Sequence, residues 1–260
     1  MSGSENGTRI TDLYERSPIR ILFPKIGGAV EEAVLINTAG GIAGGDRLDY
    51  DVTAVIDASI AVTTQAAEKI YRALAEPSRI ETKLRSFDSA KLAWLPQETI
   101  IFNSARLRRK MEVEISGSAE LLALEWLVLG RAARGEQMTS GFITDSWRVK
   151  RDGRLIWADT LRITDDVFSQ LHKNALISNC TALGTLVCVG PDFETRLDLL
   201  REIVGGLSCR CDITSVRGAL IARFAAKASL DVRNALRGFL QHVSREFSPG
   251  PFRVPKMWSC

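Results

Sequence analysis

Two carboxylates stand where strands should be apolar. Glu125 lies inside LLALEWLVL and Asp159 inside LIWADTLRI, each a charge in a run that otherwise calls for burial. A carboxylate taken out of water is costly unless it is paired, protonated, or in contact with water or a metal ion. An alternation of period two offers each an exposed face, so a solvated or arginine-paired strand position competes with a functional one. Glu98, just after WLPQ, and Glu136, in RGEQ, belong to the same class with weaker context.

A different signal comes from NTAGGIAGGD at 37–46, where Gly40, Gly41, Gly44 and Gly45 are closed by Asp46. Glycine at this density suggests a phosphate cradle. A dinucleotide loop, however, needs GxGxxG between a strand and a helix, and a P-loop needs a Gly-Lys-Ser/Thr ending. Here the nearest register reads AGGIAG, a strand-like run follows, and Asp46, Asp49 and Asp51 would repel a phosphate. The glycines instead predict a tight crossing between two strands that holds Asp46 beside it.

Nucleophilic catalysis has little support. The two histidines, His172 and His242, lack a GxSxG elbow or a third partner. Cys209 and Cys211, in CRC, fall on one face of a strand, but a lone CxC lacks the second pair that structural zinc requires, and small buried hydrophobes are the simpler reading.

The elements that must position these groups are mostly strands. In LDYDVTAVI (48–56), RIETKLRSF (79–87) and KMEVEI (110–115) apolar and charged residues alternate. SWRVKRDGRLIWADTLRI places Asp152-Gly153 between two strand-like runs, a hairpin signal. The densest basic run, ARLRRK at 105–110, reads as a solvated strand face. The expected architecture is therefore mainly β: one domain of stacked, irregular sheets, sandwich-like or β-helix-like, with two α-helices in the C-terminal third. DFETRLDLLREIVGG predicts the first helix, with Phe193, Leu197, Leu200 and Val204 on one stripe, Asp192 as N-cap and Gly205 as stop. SLDVRNALRGFLQHVSREF, capped by Ser229, predicts the second through Val232, Leu236, Phe239, Leu240, Val243 and Phe247.

Residues 1–16 read as a flexible N-terminus, 17–248 as the β domain, and 249–260 as a proline-rich tail. The tail carries Phe252, Val254, Met257 and Trp258, so it either folds back on the body or waits for a partner. At 260 residues, 45% hydrophobic and 25% charged, the chain can bury a sizeable core. A net charge of +3 is too mild to argue for nucleic acid. With no signal peptide or membrane-spanning run, and an odd count of 5 cysteines, the expectation is a cytoplasmic protein with reduced thiols.

Taken in order, GGIAGGD, TTQAAEKIYR (63–72), WLPQETIIF (94–102), LGRAARGE (129–136) and the tail RVPKMW resemble the urease accessory protein family UreD, also called UreH. The likeness runs from SPIRILFP at 17–24 to the C-terminus. Asn37-Thr38-Ala39 stands where the family commonly has prolines, Gln65 replaces a usual proline, and Glu125 a usual aspartate. The resemblance implies a non-catalytic urease maturation factor that bridges apo-urease to UreF and the GTPase UreG, the nucleotide residing on the partner. It implies no tightly bound cofactor, only nickel in transit through an acid-lined internal passage, whose members by motif match are Asp46, Glu125, Asp159 and Glu98. Phe252, Met257 and Trp258 would then dock on UreF. The rival is a carboxylate-dependent β-sandwich hydrolase, with Glu125 and Asp159 facing each other across an open cleft at roughly 5–10 Å, as in glycosidases. A plain interaction module is the third reading.

Overall fold

The structure is a computed structural model that describes residues 1–4, 7–24, 31–246 and 250–259. A short hairpin, β1 (Ser2–Ser4) and β2 (Gly7–Arg9), precedes β3 (Ile19–Leu22), after which the chain begins to coil. β4 (Glu31–Asn37) belongs to one sheet and β5 (Arg47–Ala54) to a second. β6 (Ser59–Thr64), the short β7 (Glu68–Ile70) and β8 (Ser78–Ser86) repeat the circuit. So do β9 (Lys91–Leu95), β10 (Thr99–Ile101) and β11 (Arg106–Ile115), followed by β12 (Glu120–Leu129) and β13 (Phe142–Arg151).

Each strand pairs in parallel with its counterpart one turn earlier: β4, β6, β9 and β12 in the first sheet, β5, β8, β11 and β13 in the second. β7, β10 and the end of β12 form a narrow third side. The result is a β-solenoid of about three turns. A parallel pair needs a long crossover between its strands, and here the second sheet supplies it.

The coil ends when β14 (Arg154–Ile163) turns back antiparallel on β13. Its turn is the expected Asp152-Gly153, both residues at positive φ (49° and 76°), as a two-residue hairpin of matching twist requires. Beyond the single-turn α1 (Asp165–Phe168), β15 (Ala182–Val189) joins the first sheet antiparallel to β12. After α2 (Pro191–Glu194) and α3 (Leu197–Gly205), β16 (Arg210–Val216) and β17 (Ala219–Ala226) extend that sheet, and α4 (Ser229–Glu246) lies against it.

Burial follows from this layering. β8, β11 and β13 alternate buried with more exposed positions, since one face looks into the coil and the other into solvent. β12 is buried at all 10 residues because its inner face lines the coil while its outer face lies under helices and tail. That explains why LLALEWLVL reads as an unbroken apolar run.

Two expectations need amendment. The helix predicted from Asp192 to Gly205 is two helices, because Arg196 leaves helical geometry (φ −113°, ψ 20°) and reaches the carbonyl of Glu246 at the end of α4. Gly190 rather than Asp192 is the N-cap of the first piece. Phe247 lies outside the described residues. Within the segment 1–16, Gly3 N donates to Ile56 O at 2.6 Å and Val55 N donates to Met1 O at 2.9 Å, both at the β5–β6 turn.

Candidate functional site

The inside of the coil contains two apolar clusters with a polar layer between them. One cluster holds Leu84, Leu92, Val113 and Trp147. The other holds Ile42, Ile70, Ile101 and Leu129, aligned in successive turns of the third side. Inward-pointing polar groups separate them and follow the coil axis from turn to turn.

At the first-turn end, Glu68 accepts two hydrogen bonds from Asn37 Nδ2 (3.1 and 3.0 Å) and borders a pocket of about 90 Å³ shared with Tyr50. Tyr50 also lines a cavity of about 30 Å³ with Thr82, Thr99, Arg109 and Glu125, roughly the volume of one water molecule. Burial raises the Tyr50 pKa, and the charges of Glu68 and then Glu125, which line the same cavity, raise it further. Burial likewise pushes Glu68 up, against the pull of Asn37.

The centre of the belt is a buried ion triad. Arg109, 2% exposed, grips Asp145 through Nε (3.0 Å) and Nη2 (2.7 Å), and reaches Glu125 through Nη1 (2.6 Å). Trp94 Nε1 donates to the other oxygen of Glu125 at 2.9 Å. Burial pushes the Glu125 pKa up and Asp145 adds to this, while Arg109 and Trp94 pull it back. Burial alone would lower the pKa of the guanidinium; Asp145 and then Glu125 more than offset that and raise it. Past the triad, Thr185 lies opposite Glu125 on β15, and Arg223 opposite Thr185 on β17. Arg223 donates to Thr185 (2.8 Å) and to Asp159 (2.6 Å), where the belt meets solvent.

Of the acids singled out from sequence, Glu125 and Asp159 therefore share one belt, with Thr185 and Arg223 between them. They do not face each other across an open cleft, as the hydrolase reading requires. Asp46 is exposed and closes its own turn, accepting from Ala43 N at 2.8 Å. Glu98 sits outside the coil and clamps α4 through Arg233 (2.6 Å). Among the described residues no group of three or more His, Cys, Asp and Glu side chains converges as on a metal ion. Cys209 and Cys211 lie side by side, but burial pushes the Cys209 thiol up to about 12 and raises Cys211 too, which keeps both protonated. His172 and His242 are exposed.

Sequence reasoning missed Arg109, Asp145, Glu68 and Tyr50. The reading of ARLRRK as a solvated face is corrected for Arg109, which shares the phase of Leu107, Met111 and Val113 and so points inward. That alternation was the available signal. The tail folds back: Phe252 and Trp258 are 1% and 2% exposed, Phe252 stacks near Phe193 (5.2 Å between centroids), and Trp258 Nε1 donates to Leu95 O (3.2 Å). With both rings in the chain's own core, only the half-buried Met257 of the three tail residues presents surface.

Residues 1–259 match the family model described as UreD urease accessory protein. The chain belongs to the UreD family. It is 42% identical over 239 residues to the urease accessory protein UreD of Methylobacterium sp. (strain 4-46), covering 90% of this chain and 85% of that one. Against the UreD of Mesorhizobium japonicum it is 39% identical over 260 residues (99% and 91%), and against that of Rhizobium johnstonii 39% over 252 (97% and 90%). As a UreD-family member it is a urease maturation factor and a non-catalytic accessory protein. Among the described residues no helix is long and apolar enough to cross a membrane.

Four of the five motifs that carried the resemblance meet in a single column at the coil corner. Gly41 lies so close to the Tyr71 ring that a Cβ there would stand 2.6 Å from it. Tyr71 meets Phe102 edge-on (5.2 Å), Arg131 covers Phe102 (4.1 Å), and Glu136 ion-pairs with Arg131. One residue or pair from each of GGIAGGD, TTQAAEKIYR, WLPQETIIF and LGRAARGE thus builds the corner, and Gly45, at φ 87°, lets the chain leave it.

Proposed function

We propose that this UreD-family protein hands nickel to apo-urease along the polar belt inside its coil, while bridging apo-urease to UreF and UreG in the cytoplasm. The observation that carries the reading is the belt itself: Tyr50, Glu68, Glu125, Asp145 and Asp159 line the coil interior from its first turn to its last, between two apolar clusters. An interior needed only for stability would be filled with apolar side chains, since a buried ion triad adds little to stability over hydrophobic residues of similar volume. Carboxylate, hydroxyl and water oxygens suit a divalent cation and, when sparse, release it again. Nickel is here the cargo, and the GTP belongs to the partner UreG.

In this proposal Asp46 and Glu98 stand outside the passage, at a corner turn and at the α4 clamp. The tail, with Phe252 and Trp258 buried, contributes to partner binding through its exposed edge and through the surface of α4 that it supports. The test is to replace Glu125 and Asp145 together by Gln and Asn, co-express with urease and the remaining accessory proteins, and measure nickel per urease. Intact assembly with lowered nickel supports the passage; unchanged nickel content sinks it.

A further inference from the structure

We propose that Arg109 is the gate of the belt: its guanidinium occupies the position between Glu125 and Asp145 that a divalent cation in transit must take, and it yields that position only to such a cation. The inference rests on the passage reading above and adds how the passage is kept shut.

Arg109 makes four hydrogen bonds inside the coil, to Asp145 (3.0 and 2.7 Å), Glu125 (2.6 Å) and Thr99 (3.1 Å). A planar fork satisfied to this degree sits across the belt at the third turn, beside the cavity of about 30 Å³ that Tyr50, Thr82 and Glu125 also line.

The two carboxylates also share one guanidinium, at a site 5% exposed or less. A divalent cation placed there would be held by the same two carboxylates. Thr82 supplies an independent sign of a ligand position: its Oγ1 is buried, lines the same cavity, and has no hydrogen-bond partner. Buried hydroxyls are almost always bonded to protein, water or an ion, so the Thr82 hydroxyl is free to bind a water or an ion in this cavity. Arginine suits the gate because it cannot lose its proton, and its dispersed charge is weakly hydrated. It therefore competes with the cation for carboxylate oxygens at every pH of interest.

The full-length chain is titrated calorimetrically with nickel chloride alone, as wild type, R109Q, R109K and R109Q/E125Q, each first shown to melt cooperatively. R109Q is expected to bind one nickel ion at least ~10-fold more tightly than wild type, a difference of about 1.4 kcal/mol or more. R109Q/E125Q is expected to lose the gain. R109K, which keeps the charge but not the fork, falls between wild type and R109Q. Nickel affinity in R109Q no higher than in wild type overturns the gate. If R109Q does not fold, R109K decides: several-fold tighter binding supports the gate and unchanged binding overturns it. The two readings fail separately. Unchanged urease nickel with E125Q/D145N removes the passage, whereas lowered urease nickel together with wild-type affinity in R109Q removes the gate alone.

Discussion

On β11, Met111, Val113 and Ile115 point into the coil, and so does Arg109 two residues before them. The first three join an apolar cluster with Leu84 and Trp147; Arg109 ends between two carboxylates. Backbone, phase and burial are the same in both regions, and only the neighbours one turn away differ. In the apolar region each inward side chain is interchangeable with others of similar volume, because dispersion and area are non-directional. In the belt each group depends on a particular partner, because a buried charge left alone costs far more than a buried methylene.

Removing one member from each region should expose that difference. Arg109→Met leaves two buried carboxylates without a counter-ion and is expected to cost about 4 kcal/mol, read as a fall in the denaturant midpoint. Leu84→Ala, 0% exposed in the apolar cluster, should cost about 3 kcal/mol through lost transfer energy and a cavity. If Arg109→Met costs under about 1 kcal/mol, the triad is not the tightly coupled unit described. Replacing the triad whole, with Arg109→Met, Glu125→Met and Asp145→Leu, should instead raise stability by about 1–2 kcal/mol while urease nickel falls, which separates folding from function in one variant. At the solvent end, Asp159 pairs with Arg223 at side-chain exposures of 34% and 47%. Asp159→Asn should therefore change stability by less than about 1 kcal/mol, measured the same way.

Much of the scaffold was legible. Alternation in LDYDVTAVI, RIETKLRSF and KMEVEI marked inner and outer faces that the structure keeps, and the Asp152-Gly153 turn and α4 lie where turn chemistry and the apolar stripe predict. The interruption at Arg196 was hidden, because its cause is a carbonyl 50 residues away on α4. The tail shows the same limit: four large apolar residues announced burial, but whether against this chain or a partner depended on Leu95 and Phe193. Of the site, the sequence marked Glu125 and Asp159 as misplaced charges and concealed Arg109, whose place in a basic run suggested solvent.

The amino-acid sequence by itself determined which residues could face inward, since a period of two divides every strand into two sides whatever lies next to it. It also determined the glycine-marked crossing at 37–46 and the carboxylates that would need an explanation. Only the tertiary structure decided which inward groups meet. Glu125 and Asp145 stand 16 and 36 residues from Arg109 along the chain, and they come together because the coil lays each turn in register on the one before. The register between turns is carried by the parallel strand ladders, with Gly41, Tyr71, Phe102 and Arg131 stacked at the corner. Local periodicity carries no information about that spacing, so the partners of a buried charge become visible only once the turns are stacked.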